Sequence, residues 1–210
     1  MSAQNKIIIA TKNAGKLREI RHILNDIPFC ILGMSDINID IEIEENGNSY
    51  LENALIKARE VYKAAKNIVV SDDSGLEVDI LGKRPGIFSA RYANSTEERI
   101  VKLLGELRGV PFEKRRARFV CVACLLINEN IYHLFQGTVE GFISFEPKGT
   151  NGFGFDPIFF VPEYNKTMAE LPLEIKNKIS HRAKAFSDLR DFLKSKIHNF
   201  SNLVLNFLSL

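Results

Sequence analysis

The sequence predicts an α/β fold, and two features of its hydrophobic pattern support that prediction. Short apolar runs typical of strands alternate along the chain with segments whose apolar residues recur at helical spacing. Near the centre, the apolar run 119–127, the polar turn 128–130 and the run 131–139 together predict a β-hairpin. The chain has 210 residues, 45% of them hydrophobic, which suffices for one domain or one two-lobed domain.

Charge and targeting signals narrow the class of protein. The 28 Lys and Arg residues and 26 Asp and Glu residues give a net charge of +2, too balanced to indicate nucleic-acid binding. The basic run 114–118 is interpreted as a solvated strand edge. The polar start of the chain is not typical of a signal peptide. The apolar segment 200–210 is shorter than the roughly 20 residues that span a bilayer. We therefore expect no nucleic-acid partner and no membrane partner.

The three cysteines favour a reducing compartment, because their odd number does not suit a disulfide framework. Cys121 and Cys124 form a C-x-x-C pattern, but they lie inside a predicted strand. Residues three apart on a strand point to opposite faces, so this pair is predicted to be buried in the core and not to bind a metal. A cytoplasmic location is therefore predicted.

The first unit of the chain is predicted to be strand 6–10, a polar loop and a helix that follows it. The loop contains Thr11, Asn13 and Lys16, whose hydroxyl, amide and ammonium groups suit an anion at the helix N-terminus. The alternative is structural: Thr11 or Asn13 caps the helix, and Lys16 is solvated.

The next segment combines a strand pattern, an acidic turn and a helix. Strict alternation over 37–43 predicts a half-buried strand that leads into the turn 44–47. Ser49 and Glu52 form a capping box for a helix that reaches about residue 66, so Glu52 is assigned a structural role. Lys57, in the second turn of this helix, points either to solvent, the simpler choice, or into a cleft.

The stretch Ser71–Gly75 carries the most informative chemistry. It follows the apolar run 68–70, and we expect the strand to end there in an acidic turn at a sheet edge, where clefts usually form. Asp72 and Asp73 repel each other, so both stay ionised near neutral pH only if a cation or a basic side chain lies close. Mg²⁺ is the natural candidate, because it prefers oxygen ligands. The alternative is that one of the two aspartates caps backbone amides.

The last third of the chain supplies a glycine-rich loop and a helix start. Phe153 and Phe155 lie in the loop 149–157, where they either stack on a planar base or plug the core. Short helices are predicted at 167–170 and 172–178, before a long final helix. His181 and Arg182 lie at the N-terminus of that helix, an unfavourable place for cations, so an anionic or hydrogen-bond-accepting group is expected near them.

Together these residues resemble the inosine/xanthosine triphosphate pyrophosphatase family. The resemblance covers about residues 6 to 195, and its motifs occur in family order: Ala10–Lys16, Glu45–Gly47 with Leu51–Ala58, Ser71–Leu76, Pro85–Tyr92, Gly152–Phe159 and Ser180–Arg182. Two positions depart from the family pattern: Asn151 replaces a frequent glycine, and Phe155 replaces a frequent tyrosine.

The resemblance implies an elongated, twisted mixed central sheet with flanking helices and two lobes around a substrate cleft. It places one two-lobed domain at 1–198 and leaves 199–210 as an apolar tail without an assigned role. It also implies a homodimer that depends on Mg²⁺ and hydrolyses deaminated purine nucleoside triphosphates (ITP, dITP and XTP) to the monophosphate and pyrophosphate.

The resemblance also implies roles for individual residues. Asp73 is the expected base or water-orienting acid. Glu45, Asp73 and Asp72 are the expected metal-side carboxylates, with Asp72 in a supporting role. The expected substrate-binding residues are Thr11, Lys12, Asn13, Ala14, Gly15, Lys16, Lys57, Ser74, Phe153, Gly154, Phe155, Asp156, Lys176, His181 and Arg182. Two alternatives are a Maf-type pyrophosphatase, which acts on pyrimidine or modified nucleotides, and a nucleotide sensor without turnover.

Overall fold

The structure is a computed structural model that describes the backbone of residues 5–207 and the side chains of residues 5–196. The predicted tail 199–210 therefore lies outside the residues whose side chains are described. Within the described part of the chain, no helix is both long enough and apolar enough to cross a membrane.

One seven-stranded mixed sheet forms the centre of the molecule, in the order β2-β1-β3-β4-β5-β6-β7. Strand β1 is parallel to β2 and β3, and the remaining pairs are antiparallel. The strands are β1 (Lys6–Ile9), β2 (Cys30–Gly33), β3 (Ile68–Val78), β4 (Arg116–Leu126), β5 (Tyr132–Ile143), β6 (Phe159–Val161) and β7 (Lys166–Thr167). The predicted hairpin is confirmed as β4 and β5.

Within residues 5–207, five α-helices flank the sheet: α1 (Ala14–Ile23), α2 (Tyr50–Ala65), α3 (Thr96–Glu106), α4 (Leu173–Ile179) and α5 (His181–Phe207). Side-chain oxygens of Asn13, Ser49 and Ser95 cap α1, α2 and α3 by accepting a backbone N–H three residues later. Such caps each contribute about 1 kcal/mol. The α/β fold predicted from the sequence is confirmed.

The two faces of the sheet bury different helices. Ile7, Ile9 and Cys121 pack with α1 and α5, whereas Ile8 and Cys124 pack with α2 on the opposite face. Cys121 and Cys124 are both fully buried, as the sequence predicts. A third cluster, around α3 and the far ends of β3 to β6, forms the other half of the core.

The segment 37–43 is not a strand, so that prediction is wrong. Residues 34–37 form a 3-10 helix, and 39–47 have no regular secondary structure. The isoleucines at 37, 39, 41 and 43 nevertheless pack against the α2-side core, while the residues between them are exposed. Alternation of apolar and polar residues indicates an extended chain with one buried side. It does not report whether a neighbouring strand is available for pairing.

The acidic stretch Ser71–Gly75 is also placed differently from the prediction. It lies inside β3, which continues to Val78, and every residue from Val69 to Val78 pairs with β4. On the other edge of β3, pairing with β1 stops at Val70. From there to Leu76, which donates its N–H to Ser89 Oγ, this edge borders the cleft described below. The acids are tolerated in the strand because polar groups surround them on both faces.

The basic run 114–118 is only partly solvated. Arg115 is 4% exposed, and its guanidinium donates to the carbonyl oxygens of Leu107, Val110 and Ser144. Arg118 pairs with Glu77 across β3 and β4. Arg115 thus satisfies carbonyl groups near the end of α3 and is a structural residue.

Candidate active site

Strand β3 presents its two adjacent aspartates to opposite faces of the sheet, because side chains alternate along a strand. Asp72 lies opposite Ala123 of β4 and faces α1 and α5, whereas Asp73 lies opposite Val122 and faces α2. Both carboxylates are buried, at 2% and 5% exposure. The sequence-based expectation that Asp72 and Asp73 share one cation is therefore corrected: each has its own partners.

On the α2 face, two carboxylates converge on one ammonium group. Lys57 Nζ lies 3.4 Å from Asp73 Oδ1 and 3.2 Å from Glu45 Oε1. Asn53 Nδ2 donates to Asp73 Oδ2 at 3.1 Å. Lys57 is 8% exposed, so the simpler expectation, that it points to solvent, is wrong.

The titration of this cluster follows from burial and charge. Burial raises the pKa of Asp73 above its ordinary value, Lys57 and Lys16 oppose that shift, and Glu45 adds to it. Burial alone would lower the pKa of Lys57, but Asp73, Asp72 and Glu45 outweigh it and raise that pKa. Lys57 therefore stays protonated, and Asp73 is a stronger base than an exposed aspartate.

On the opposite face, five buried side chains and the half-buried Lys16 form an alternating chain of charges that we call the ionic chain. Its members, in order of contact, are Lys16, Asp72, Arg182, Glu19, Lys176 and Asp156, and the N···O distances between neighbours are 2.9, 3.3, 2.7, 2.7 and 2.7 Å. Lys16, the most exposed member, has a side-chain exposure of only 17%. The three cations and three anions balance, which makes their joint burial tolerable.

Burial and the neighbouring cations of the ionic chain shift the pKa values of two of its carboxylates, Asp72 and Asp156. Burial alone would raise the pKa of Asp72, but Lys16 and Arg182 hold it well below its usual range. Burial raises the pKa of Asp156, against the attraction of Lys176. Asp156 Oδ2 also accepts the N–H of Phe153 at 2.9 Å, so it anchors the glycine-rich loop.

A cleft of about 340 Å³ joins the two faces at the open edge of β3. Among the sequence-predicted site residues, its lining includes Asn13, Lys16, Glu45, Lys57, Asp73, Ser74, Phe153, Gly154, Phe155, Asp156, Lys176, His181 and Arg182. This volume lies within the usual range of ligand sites. The cleft is therefore the candidate active site.

The two loop phenylalanines have different positions. Phe155 is 4% exposed and packs in the core around α3. Phe153 is half-buried, and its ring centroid lies 4.9 Å from Lys176 Nζ and 5.5 Å from Arg182 Cζ. A Cβ on Gly15 would come within 2.9 Å of the Phe153 ring, so the glycine admits this aromatic beside the start of α1.

The first loop is divided between two cavities. Thr11, Lys12 and Ala14 line a neighbouring cavity of about 510 Å³, and Asn13 borders both. Lys12 is exposed and pairs with Asp40 at 2.7 Å. Asn13 is the cap of α1, and Lys16 is bound to Asp72 instead of being solvated.

His181 is buried at the start of α5 and stacks on Phe119, with ring centroids 4.8 Å apart. Burial and the neighbouring cations Arg182 and Lys176 lower its pKa well below the ordinary value of 6.5. Its Nδ1 has no hydrogen-bond partner within the described residues. His181 is therefore a neutral imidazole at neutral pH.

We expect this buried imidazole to weaken the fold in acid. Below pH about 6.5 the unfolded chain binds a proton at residue 181 that the native state does not, so the free energy of unfolding falls as the pH falls. His181→Gln should remove up to about 1.4 kcal/mol per pH unit of that slope. Urea unfolding between pH 4.5 and 7.5 measures it, with the exposed His22→Gln as control. Equal slopes in all three proteins would contradict the assignment.

Several residues that line the cleft or support its lining were not predicted as site residues from the sequence. Asn53 donates a hydrogen bond to Asp73, and Glu19 forms an ion pair with Arg182. Arg91 and Arg99 line the cleft. The spacing of four that joins Asn53, Lys57 and the buried Val61 was a usable signal, since it places them on one helix face. Arg91 donates to the Glu45 carbonyl oxygen at 3.0 Å.

Relatives of this chain are similar along most of their length. A model of the Ham1 family matches residues 7–192. A dITP/XTP pyrophosphatase of Bacillus licheniformis is 47% identical over 191 residues, which are 90% of this chain and 97% of that protein. The dITP/XTP pyrophosphatase of Bacillus subtilis is 44% identical over 198 residues, 93% of this chain and 100% of that protein.

Solved structures agree with this similarity. The Ham1 protein of Staphylococcus aureus matches with a TM-score of 0.81 and 42% identity, over 91% of this chain and 100% of that one. A HAM1 protein of Coxiella burnetii matches with a TM-score of 0.83 and 40% identity, over 91% and 99%. The family resemblance carried by the sequence motifs is thereby confirmed, and this chain belongs to the Ham1 family.

Proposed function

We propose that this protein hydrolyses deaminated purine nucleoside triphosphates (ITP, dITP and XTP) to the monophosphate and pyrophosphate. The observation that carries the proposal is the composition of the cleft. Glu45, Asp73 and Lys57 converge at one side of it, and Phe153 lies with the charged residues of α4 and α5 at another. The first group suits a phosphoanhydride, and the second suits a purine base. The relatives named above are dITP/XTP pyrophosphatases.

The residues around Lys57 fit a divalent metal. Glu45 and Asp73 already hold one cation, the ammonium group of Lys57, between two carboxylate oxygens at 3.2 and 3.4 Å. Within the described residues, no cluster of three or more His, Cys, Asp or Glu side chains could enclose a metal. Mg²⁺ commonly binds through one or two carboxylates together with substrate phosphates. We infer that Glu45 and Asp73 hold Mg²⁺, and that Asp72 does not.

The chemistry requires charge neutralisation and an activated water. Lys16 and Lys57 lie where they can neutralise phosphate oxygens, with Asn13 and Ser74 beside them in the cleft lining. Mg²⁺, when bound, supplies further neutralisation of the polyphosphate. Asp73, whose pKa burial raises, orients the attacking water and accepts its proton. Thr11, Lys12, Ala14 and Gly15 remain proposed substrate contacts through the backbone of their loop.

The base is selected by hydrogen-bond donors. Arg182 Nε is buried without a partner within the described residues, although both terminal nitrogens of this guanidinium are bonded. A 6-oxo purine offers an acceptor to such a donor, whereas adenine offers a 6-amino donor. An unpaired buried polar group costs about 1–3 kcal/mol, or roughly one to two decades in rate. This supports selection of hypoxanthine and xanthine over adenine.

We expect Mg²⁺-dependent pyrophosphate release from ITP, dITP and XTP, at rates about 10- to 100-fold above that with ATP. A release assay over these substrates, dTTP and UTP, with and without Mg²⁺, measures it. Preference for dTTP or UTP would favour a Maf-type enzyme instead. Tight ITP binding without release would favour a sensor.

The homodimer and the cytoplasmic location predicted from the sequence remain predictions. Size-exclusion chromatography with light scattering tests the dimer.

A further inference from the structure

One amide group links the Asp73 carboxylate to the backbone of the turn that carries Glu45, the other carboxylate of the proposed metal pair. Asn53 lies on α2 and is fully buried. Its Nδ2 donates to Asp73 Oδ2 at 3.1 Å, and its Oδ1 accepts the backbone N–H of Gly47 at 2.9 Å. The orientation of the amide is unambiguous, because an ionised carboxylate only accepts and a backbone N–H only donates.

The turn that carries Glu45 depends on such contacts for its position. Residues 39–47 have no regular secondary structure, so no strand ladder holds Glu45 near Asp73. The turn is attached instead at the Glu45 carbonyl oxygen by Arg91, at Asn48 N–H by Glu52, and at Gly47 N–H by Asn53. Among these three backbone attachments, the one through Asn53 also contacts Asp73. The side chain of Glu45 has a separate link to Asp73 through Lys57, which contacts both carboxylates.

Gly47 shows how closely the turn approaches α2. A Cβ at residue 47 would lie 2.8 Å from Asn53 Oδ1 and 2.7 Å from Glu52 Cβ, closer than real Cβ contacts. The turn can therefore contact Asn53 only because residue 47 is glycine. The amide of Asn53 fills the position between Gly47 N–H and Asp73 Oδ2, with hydrogen bonds of 2.9 and 3.1 Å.

We propose that Asn53 is a positioning residue that sets the separation of the Glu45 and Asp73 carboxylates and thereby prepares the divalent-cation site. Asn53 donates to Oδ2 of Asp73 and leaves Oδ1 available to a cation. In this structure, Oδ1 contacts the ammonium group of Lys57. The inference rests on the proposed function for the identity of the reaction. Asn53 does not line the cleft, and it acts through Asp73 and through the turn that carries Glu45.

Two substitutions distinguish the hydrogen bond that Asn53 donates to Asp73 from the one that it accepts from Gly47. Asn53→Asp keeps the size and the acceptor for Gly47 N–H but replaces the donor toward Asp73 with a second negative charge. Asn53→Ala removes both bonds. Asn128→Ala is the matched control, because Asn128 also accepts backbone N–H groups, those of Asn130 and Ile131, in the β4–β5 turn.

The experiment measures metal binding directly and then metal dependence. Mn²⁺ binding to the nucleotide-free protein, followed by electron paramagnetic resonance, should weaken about 10-fold or more in both Asn53 variants, as expected for residues that orient metal ligands. The Mg²⁺ concentration that gives half-maximal pyrophosphate release from ITP should rise by a similar factor. Metal-free ITP binding, measured by calorimetry, should change less than about twofold, since Asn53 does not line the cleft. Asn128→Ala should leave all three values unchanged.

The outcomes distinguish this inference from the proposed function. Wild-type Mn²⁺ affinity in a folded Asn53→Asp or Asn53→Ala variant would overturn the positioning role. Equal weakening in Asn128→Ala would do so as well, since it would indicate general destabilisation. If Asn53→Ala does not fold, Asn53→Asp alone decides. If the wild-type protein binds Mn²⁺ but releases no pyrophosphate from any triphosphate, the proposed function fails, and the comparison of Mn²⁺ affinities still tests Asn53.

Discussion

Asp73→Asn should lower kcat for ITP by about 10³-fold, within the range that positioned acids and bases contribute, while the protein stays folded and still binds nucleotide. Asparagine has nearly the same shape as aspartate, but it cannot accept the proton of the attacking water. It also removes one of the two carboxylate charges that face Lys57. The chemical step should therefore suffer far more than the ground-state complex.

Stability should respond little to the same substitution. Burial makes the ionised Asp73 unfavourable, whereas Lys57 makes it favourable, and the net shift of its pKa is upward. Replacing it with a neutral amide removes both contributions. We expect the free energy of unfolding at pH 7 to change by less than about 1 kcal/mol. Pyrophosphate release, calorimetry with ITP and urea unfolding measure the three quantities.

The control for this prediction is Asp79→Asn, just beyond the end of β3. Asp79 is half exposed and pairs with Lys83 at the surface, so its substitution should leave kcat unchanged. A rate for Asp73→Asn within a few-fold of wild type would show that another group activates the water. A lower rate accompanied by equal loss of the folded state would show a structural role instead.

Glu19→Ala should destabilise the protein by about 3–5 kcal/mol, the usual effect of removing one partner from a buried ion pair. Glu19 is 3% exposed, and its two carboxylate oxygens contact Lys176 and Arg182, each at 2.7 Å. After the substitution, Lys176 keeps Asp156 as its partner and Arg182 keeps Asp72. The two cations, each 2% exposed, then lie near each other without the anion that separated them.

An effect of this size is a large part of the total stability of a typical domain, which is about 5–15 kcal/mol. Urea unfolding at pH 7 measures it. Glu19→Gln should shift stability in the same direction but by less, because its amide keeps the shape and one acceptor. Glu60→Ala is the exposed counterpart: its pair with Lys63 lies one helical turn apart on α2, and its loss should cost less than about 0.5 kcal/mol. Equal effects of Glu19→Ala and Glu60→Ala would refute the structural role of the ionic chain.

The sequence was sufficient for the elements whose hydrophobic period is unambiguous. The start of α2 at Ser49, the β4–β5 hairpin and the burial of Cys121 and Cys124 on opposite faces all follow from local pattern and agree with the structure. The identities of most cleft residues followed from the family motifs. Their assembly into one cleft required the sheet order, which no local pattern contains.

The remaining differences have physical causes. Polar residues at 71–75 suggest a turn, yet a strand can carry them when its edge borders a cleft, and period-two alternation then separates Asp72 from Asp73. Glu19 was missed because its partners Lys176 and Arg182 lie more than 150 residues away in sequence. A charged residue on an amphipathic helix is usually solvated. Only the tertiary structure shows that it is enclosed.

The ionic chain also bears on how the protein is made. Glu19 and Asp72 leave the ribosome early, whereas their shared partner Arg182 follows Glu19 by 163 positions and Asp72 by 110. During synthesis, Asp72 can pair with Lys16, but Glu19 cannot be withdrawn from water without great cost until Lys176 and Arg182 have been added to the chain. The part of the interior that encloses Glu19 can therefore form only after residues 176–182 have been synthesised.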